Sequence, residues 1–140
     1  MTDQSPTFAF LHLVVRDIAA SLAFYRRLGA TIPPGAEERP HVAAVLPGGL
    51  AVEFDTVALT RGYDPGWREA TGGSRTSFEF ALPDRPAVDA LYAALTAAGY
   101  VGHLPPHNAF WGARYAVVDD PDGNAIGLQS PADAAPTAPP

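Results

Sequence analysis

The sequence predicts an α+β fold built from two tandem copies of one strand–helix–strand unit. Residues 47–54 and 121–128 both fit P-x-G-x-A-[V/I]-x-[F/L], and the two segments start 74 residues apart. Gly29 and Gly99 each follow a helical pattern and are 70 residues apart. A unit of this length leaves one face of its sheet uncovered. Two copies can therefore bury those faces against each other or curve around a shared cavity.

The first unit reads as a strand, a helix, a loop and a hairpin. Residues 7–15 form an apolar run that is too short for a helix and rich in strand formers. Asp17 is the expected N-cap of the helix that ends at Gly29. Three prolines in residues 31–40 predict a loop, and a hairpin is expected across residues 47–49.

The second unit repeats this order. Residues 76–82 predict a strand, and Asp84 is the expected N-cap of a helix that ends at Gly99. Residues 101–110 are rich in Pro and His and predict a loop. A closing hairpin is expected across residues 120–123, where Pro presets one turn angle and Gly supplies a positive φ.

Two segments predict no regular structure. Residues 56–75 contain four glycines and a proline, and residues 131–140 are a low-complexity Pro/Ala tail that we expect to be disordered. The predicted organisation, in chain order, is an N-terminal tail at 1–6, a first module at 7–55, a linker at 56–75, a second module at 76–130 and the tail at 131–140.

Composition excludes several classes of function. At 140 residues the chain is one domain or two fused halves, and the absence of Cys excludes disulfides, thiolate metal sites and Cys nucleophiles. A net charge of −6, with Arg as the only basic residue besides His, argues against nucleic acid as a partner. Without a signal peptide or an apolar run of about 20 residues, we expect no membrane partner and a cytoplasmic location.

Three stretches, residues 15–29, 88–99 and 111–124, carry a resemblance to a known family. The first stretch is a predicted helix that contains Asp, Phe-Tyr and Leu-Gly, and the second is another predicted helix. The third contains Trp-Gly-x-Arg followed by Asp-Pro-x-Gly-Asn. In these features the chain resembles the vicinal oxygen chelate superfamily, which groups glyoxalase I, bleomycin-resistance proteins and extradiol dioxygenases. The resemblance implies two βαβββ modules, each a curved sheet forming half a barrel around a cavity, and a homodimer.

The resemblance also implies positions for a divalent metal, which the enzymes hold with one residue from each of four strands. In this sequence those positions fall on Phe10, Glu53, Ser77 and Gly127. Only Glu53 carries the usual donor, whereas Zn, Fe or Ni sites need three or four N or O donors. We therefore expect no cofactor, with a divalent metal kept as an alternative.

Polar residues near these positions leave that alternative open. His12 and Glu79 each lie two residues beyond an implied metal position, and Asp55 lies two residues beyond Glu53, so each should share a face with its neighbour. His12, Glu53 and Glu79 are candidate ligands of a displaced metal site. However, a shift of two residues along a strand moves a side chain by about 6–7 Å, which makes it difficult for the other two to reach the same ion as Glu53. The alternative is that these polar groups bond to each other or to water in a polar pocket.

A second candidate group is aromatic. His107, Phe110 and Trp111 lie in or next to the Pro/His-rich loop predicted at residues 101–110, which we expect to form the rim of the cavity. Trp111 and Tyr115 resemble the aromatic positions that line the groove of bleomycin-resistance proteins. Flat aromatic faces suit planar rings and cations. The alternative is a packed loop with a solvated histidine.

The sequence therefore predicts a small-molecule-binding protein without the usual metal, which sequesters an aromatic or cationic natural product. One alternative is a metal-dependent lyase, isomerase or dioxygenase that uses Glu53 with His12 or Glu79. Another is a metal-free enzyme with His12 or Glu53 as general base. The predicted cavity residues are Phe10, His12, Glu53, Asp55, Ser77, Glu79, His107, Phe110, Trp111 and Tyr115.

Overall fold

The computed structural model describes residues 4–140, and the chain divides into two compact units, Met1–Ala70 and Thr71–Pro140. The boundary between them falls within the segment predicted as a linker. The predicted N-terminal tail at 1–6 lies partly outside the described residues. Within residues 4–140, every helix is too short or too polar to span a bilayer.

The first unit is a three-stranded sheet with two helices. Its elements are β1 (Leu11–Val15), α1 (Ile18–Arg27), a 3₁₀ turn (Ala36–Glu38), β2 (His41–Val45), β3 (Ala51–Thr56) and α2 (Val57–Tyr63). The strand order is β1-β3-β2, with β1 parallel and β2 antiparallel to β3. Leu13, Phe54 and Val42 are register partners and are buried. The tilted ring contact between Tyr25 of α1 and Phe54 packs this helix on that face.

The second unit is a four-stranded sheet with one helix. Its elements are β4 (Ser77–Ala81), α3 (Arg85–Ala97), β5 (Gly102–Asn108), β6 (Arg114–Asp119) and β7 (Ala125–Gln129). The strand order is β4-β7-β6-β5, and β4 is parallel to β7. Ile126 and Val118 are register partners and fully buried, as is Val88 of α3. The α+β class predicted from the sequence is confirmed.

Helices α1 and α3 begin where the sequence placed them. The Asp17 carboxylate accepts from the Ala20 N–H at 3.1 Å, and the Asp84 carboxylate accepts from the Ala87 N–H at 2.8 Å. Each bond satisfies an N–H that the helix itself leaves without a partner. Beyond the helix ends Gly29 has a φ of 89°, which favours glycine.

The first unit differs from the predicted βαβββ module because it has three strands. A single bridge between Thr31 and Val45 stands where a further strand would lie. The physical reason is the proline content of residues 31–40, since Pro lacks the N–H that a ladder needs. The second unit has the full order of one strand, one helix and three strands.

Two segments predicted as irregular contain regular structure. Helix α2 occupies Val57–Tyr63 inside the predicted linker, because the Thr56 hydroxyl caps the Leu59 N–H at 3.1 Å. The predicted loop at 101–110 contains strand β5, which carries two prolines. This strand lies at the sheet edge, where Pro is tolerated, and its pairing with β6 shifts register twice.

The tail predicted as disordered forms neither helix nor strand but bonds to the second unit. The N–H of Ala134 donates to the Gly112 carbonyl at 3.2 Å, and that of Thr137 donates to the Phe110 carbonyl at 2.6 Å. The low-complexity composition of the tail gave no sign of these backbone hydrogen bonds, which satisfy two of its N–H groups.

Candidate functional site

The open face of the first sheet carries a polar cluster. Its members, called the Asp55 cluster below, are His12, His41, Glu53, Asp55 and Tyr63. They share a face because strand side chains alternate and the register pairs His12 with Glu53 and His41 with Asp55. Tyr63 reaches this face from the last residue of α2.

Asp55 is the centre of the cluster. It is 6% exposed, and its carboxylate lies 3.0 Å from Nε2 of His12 and 2.5 Å from Nδ1 of His41. The Tyr63 hydroxyl donates to the same carboxylate at 2.7 Å. Burial by itself would raise the pKa of Asp55, but the hydrogen bonds outweigh it, so the pKa lies below its ordinary value.

His41 joins the two carboxylates of this cluster. Its Nδ1 meets Asp55, and its Nε2 lies 3.0 Å from Oε1 of Glu53. Both ring nitrogens can donate together only when the imidazole carries both protons. His41 therefore lies within hydrogen-bonding distance of both carboxylates and links strand β2 to Glu53 and Asp55 of β3.

The sequence prediction missed His41 and left Tyr63 without a position. A signal for His41 was present, because a hairpin centred on residues 47–49 places residue 41 opposite Asp55. No comparable signal exists for Tyr63, since its position depends on a helix inside the predicted linker.

The register corrects one expectation about His12. The distance along the strand was expected to keep His12 from Glu53, but the two are direct partners across parallel strands. Phe10, at the implied metal position, instead precedes β1 and is 41% exposed, with its ring edge-on to His12 at 6.4 Å. Glu79 pairs with Gly127 in the same way, so it holds in the second sheet the place that His12 holds in the first.

The second unit brings the four predicted aromatic-site residues together. Centroid distances are 6.1 Å from His107 to Tyr115, 5.1 Å from Tyr115 to Trp111 and 5.2 Å from Trp111 to Phe110. All three contacts are edge-to-face, an arrangement that ring quadrupoles favour. We call this series the aromatic row. Gln129, which the sequence prediction missed, accepts from Nε1 of Trp111 at 3.3 Å.

Glu79 adds a carboxylate beside the aromatic row. The Tyr115 hydroxyl donates to Oε1 of Glu79 at 2.8 Å. Burial, together with this hydrogen bond and the negative charge of Glu79, raises the pKa of Tyr115 to about 12. The neutral phenol is therefore the form that the second unit stabilises.

Position 127 has no room for a side chain because the Glu79 side chain fills the adjoining space. A Cβ added at Gly127 would lie 1.9 Å from Oε2 of Glu79. The resemblance implies a carboxylate at position 127 of β7. In this protein the carboxylate next to that position is Glu79 of β4. Ser77, the other implied position in this unit, is exposed at the start of β4.

The residues at the implied metal positions do not fit a bound divalent metal. Glu53 is the one carboxylate among them, and its Oε1 lies 3.0 Å from Nε2 of His41. Phe10 and Gly127 have no donor side chain, and Ser77 offers a neutral hydroxyl. Within residues 4–140, no group of three or more His, Asp or Glu side chains is arranged to hold a metal ion.

The family follows from a match over most of the chain. The model of the Glyoxalase/Bleomycin resistance protein/Dioxygenase superfamily matches residues 7–128. The chain belongs to this superfamily. The resemblance read from the three sequence stretches is therefore confirmed.

Solved structures of the same kind share the fold. A superfamily enzyme from Burkholderia phytofirmans PsJN has a TM-score of 0.75 at 21% identity, over 86% of this chain and 95% of that one. A glyoxalase/bleomycin resistance protein/dioxygenase from Nocardioides has a TM-score of 0.71 at 26% identity, over 92% and 85%. TioX from Micromonospora sp. ML1 has a TM-score of 0.58 at 19% identity, over 89% and 98%. Among curated proteins there is no match.

Proposed function

We propose that this superfamily member binds a small aromatic or cationic ligand against the aromatic row. It sequesters the ligand without converting it to a product and without a resident metal. The observation that carries the proposal is the continuous edge-to-face series from His107 to Phe110 beside the Glu79 carboxylate. Phe110 is 39% exposed, so part of this apolar surface is available to a ligand.

The chemistry of the row favours a flat, positively charged ligand. Indole and phenol faces attract cations, most strongly where water is partly excluded. Glu79 supplies a negative charge at the same place, and the net charge of −6 adds a weak attraction for cations. Neutral aromatic ligands should bind through ring contact alone and gain nothing from Glu79.

Fluorescence of Trp111 tests the proposal directly. We would titrate metal-free protein carrying Trp67→Phe, so that Trp111 is the one fluorophore of its type. The probes are an acridinium cation, a neutral aromatic of similar size and a naphthalenesulfonate anion. We expect the cation to quench with the highest affinity, the neutral ring with lower affinity and the anion least.

Two variants separate the contributions. Trp111→Ala should abolish the ring contact for every probe, with affinity followed by probe fluorescence. Glu79→Gln should weaken binding of the cation about fivefold and leave the neutral probe unchanged, since an exposed charge pair contributes at most about 1 kcal/mol. Binding by none of the three probes would overturn the proposal.

A second candidate function, a metal-free acid–base enzyme, is favoured by the Asp55 cluster. Asp55 bonds Nε2 of His12, which leaves Nδ1 of that ring as a proton acceptor when the ring is neutral. A histidine oriented by a buried carboxylate is an ordinary general base. The direct observation is the 3.0 Å contact between His12 and Asp55.

Recovery of the ligand discriminates the two functions. After incubation with an excess of any probe that binds, mass spectrometry should return the ligand unchanged if the protein only sequesters it. A product whose formation is pH-dependent, lost in His12→Ala and indifferent to chelator would establish the enzyme instead. The third function, a metal-dependent enzyme, requires a stoichiometric divalent metal in elemental analysis that is lost in Glu53→Ala.

We include in the proposal a homodimer, which the superfamily resemblance suggests, and a cytoplasmic location. Sedimentation velocity at micromolar concentration should give twice the 14.7 kDa chain mass. Cell fractionation of the tagged protein should place it with cytoplasmic markers. A monomer at all concentrations would remove the dimer from the proposal and leave ligand binding to the tests above.

A further inference from the structure

We infer that Arg85 is a positioning residue for the aromatic row, acting through residues 131–137, which we call the strap. The strap crosses the turn between β5 and β6 that carries Phe110 and Trp111. This inference rests on the proposed function, because it assigns to Arg85 and the strap the control of that same site.

The strap bonds the backbone on both sides of Trp111. The Phe110 carbonyl accepts from the Thr137 N–H at 2.6 Å, and the Gly112 carbonyl accepts from the Ala134 N–H at 3.2 Å. The Phe110 carbonyl belongs to the peptide group that precedes Trp111, and the Gly112 carbonyl belongs to the residue that follows it. The strap therefore ties the backbone that carries the indole, whose ring meets Tyr115 at 5.1 Å.

Arg85 ties the strap, the turn and β5 together. Its guanidinium donates to the Asp133 carboxylate at 2.9 Å, to the Gly112 carbonyl at 2.7 Å and to Oδ1 of Asn108 at 3.0 Å. A guanidinium presents its donors in a fixed plane, so three acceptors from three segments are held in one geometry. A lysine ammonium also has three donors, but all three leave one nitrogen and do not match acceptors that meet three separate guanidinium nitrogens.

Gly112 permits the close approach of the strap. Its φ is 96°, and a Cβ built there would lie 2.1 Å from the carbonyl oxygen of Ala134. Any side chain at this position would therefore push the strap away from the turn.

Polar bonds, and not apolar packing, hold the strap. All of residues 131–137 are exposed. A cavity of about 440 Å³ lies between the strap and the turn, lined in part by Arg85, Asn108 and Ala135. Because burial contributes little here, loss of one charged donor group should release the segment.

The experiment compares Arg85→Gln and Asp133→Ala with a matched control, Asp89→Ala, in protein carrying Trp67→Phe. Asp89 also accepts from an arginine, Arg114 at 2.9 Å, but it does not bond the strap. The readouts are the near-UV circular dichroism of Trp111, hydrogen exchange at the Ala134 and Thr137 amides, and affinity for the acridinium probe.

We expect Arg85→Gln to lose most of the Trp111 ellipticity, to raise exchange at both amides at least about tenfold, and to weaken the probe about tenfold. Arg85→Lys should restore part of each, since it keeps the charge but not the three-way fork. Asp133→Ala should follow Arg85→Gln more weakly, and Asp89→Ala should change none of the three.

The outcomes separate this inference from the proposed function. If wild-type protein binds no probe, the proposed function fails, and the ellipticity and exchange still decide whether Arg85 positions Trp111. If Arg85→Gln remains folded with unchanged ellipticity and exchange, or binds the probe as tightly as wild type, the positioning role is overturned. Thermal unfolding of each variant shows that the fold is retained.

Discussion

Two carboxylates show how neighbours decide what a residue does. Asp55 is buried and has three hydrogen-bonding partners, whereas Glu79 is exposed and accepts from Tyr115. The first carboxylate is kept charged by its partners, and the second keeps a phenol neutral. The sequence grouped His12 with Asp55 but did not predict His41 or Tyr63 as partners of Asp55, or Tyr115 as the donor to Glu79, because these partners come from other strands or from a helix.

Tyr115 should ionise late in an alkaline titration. With a pKa of about 12, the neutral phenol contributes stability that is present below the unfolded pKa of about 10 and is lost as pH rises through 12. Carbon NMR of the tyrosine Cζ, assigned with Tyr115→Phe, measures this titration. Glu79→Gln should lower the pKa towards its ordinary value but not reach it, since burial remains. A Tyr115 resonance that titrates near pH 10 in wild type would contradict this.

Asp55→Asn should destabilise the protein by about 1–3 kcal/mol at pH 7, because a buried charged acceptor is lost. The lowered pKa means that this stability is present above about pH 4 and disappears as pH falls through the folded pKa. Urea unfolding from pH 7 to pH 3 should therefore show the two proteins converging at acid pH. Glu38→Gln, at an exposed carboxylate of the same unit, should match wild type throughout.

Strand pairing explains why the internal repeat places different chemistry at equivalent positions. His12 faces Glu53 across one parallel pair, and Glu79 faces Gly127 across the other. One pair has a donor and an acceptor, while the other has a carboxylate and no partner side chain. The observed position of the Glu79 side chain therefore requires glycine at 127, because any other residue would place its Cβ against the Glu79 carboxylate.

Gly127→Ala should leave the fold intact and displace Glu79. The new Cβ meets the far end of a flexible side chain, so Glu79 can turn away at little cost. Tyr115 would then lose its acceptor, and its pKa should fall as it does in Glu79→Gln. In the Glu79→Gln background the alanine should add much less, a non-additivity that a double-mutant cycle measures. Equal, additive shifts would mean that the alanine acts elsewhere.

Local sequence signals predicted the elements that depend on local contacts. The N-caps Asp17 and Asp84 bond groups three residues away, and the hairpin turns need Pro and Gly within a few residues. Helix α2 and strand β5 were missed because their glycines or prolines suggest loops. Their formation depends on a cap at Thr56 and on an edge position in the sheet.

At the scale of the whole molecule, the chain is two compact units joined through an exposed segment. Residues 64–76 contain no helix or strand, and all but Trp67 are exposed. The guanidinium of Arg61 lies 5.3 Å from the Trp67 ring centroid, which holds that side chain against α2. The remainder of the segment has the features of a site that proteases reach first.

Limited tryptic digestion should cut first at Arg68 or Arg75. Both are exposed in the irregular segment, whereas Arg26 and Arg85 lie in helices and are bonded to other groups. Mass spectrometry at early times should find two fragments that divide the chain near the unit boundary. In the double variant Arg68→Gln, Arg75→Gln the first cut should slow markedly. An early cut within β4 to β7 would contradict the division.

The sequence by itself determined the duplicated α+β architecture, the superfamily and the starts of α1 and α3, and it named the aromatic and acidic residues of the candidate site. These depend on periodicity, caps and turns, which act over a few residues. Only the tertiary structure placed His41 between two carboxylates, put the Glu79 side chain over Gly127, and bound the strap to the turn around Trp111. Each of these contacts joins groups distant in the chain, so strand register and packing decide them.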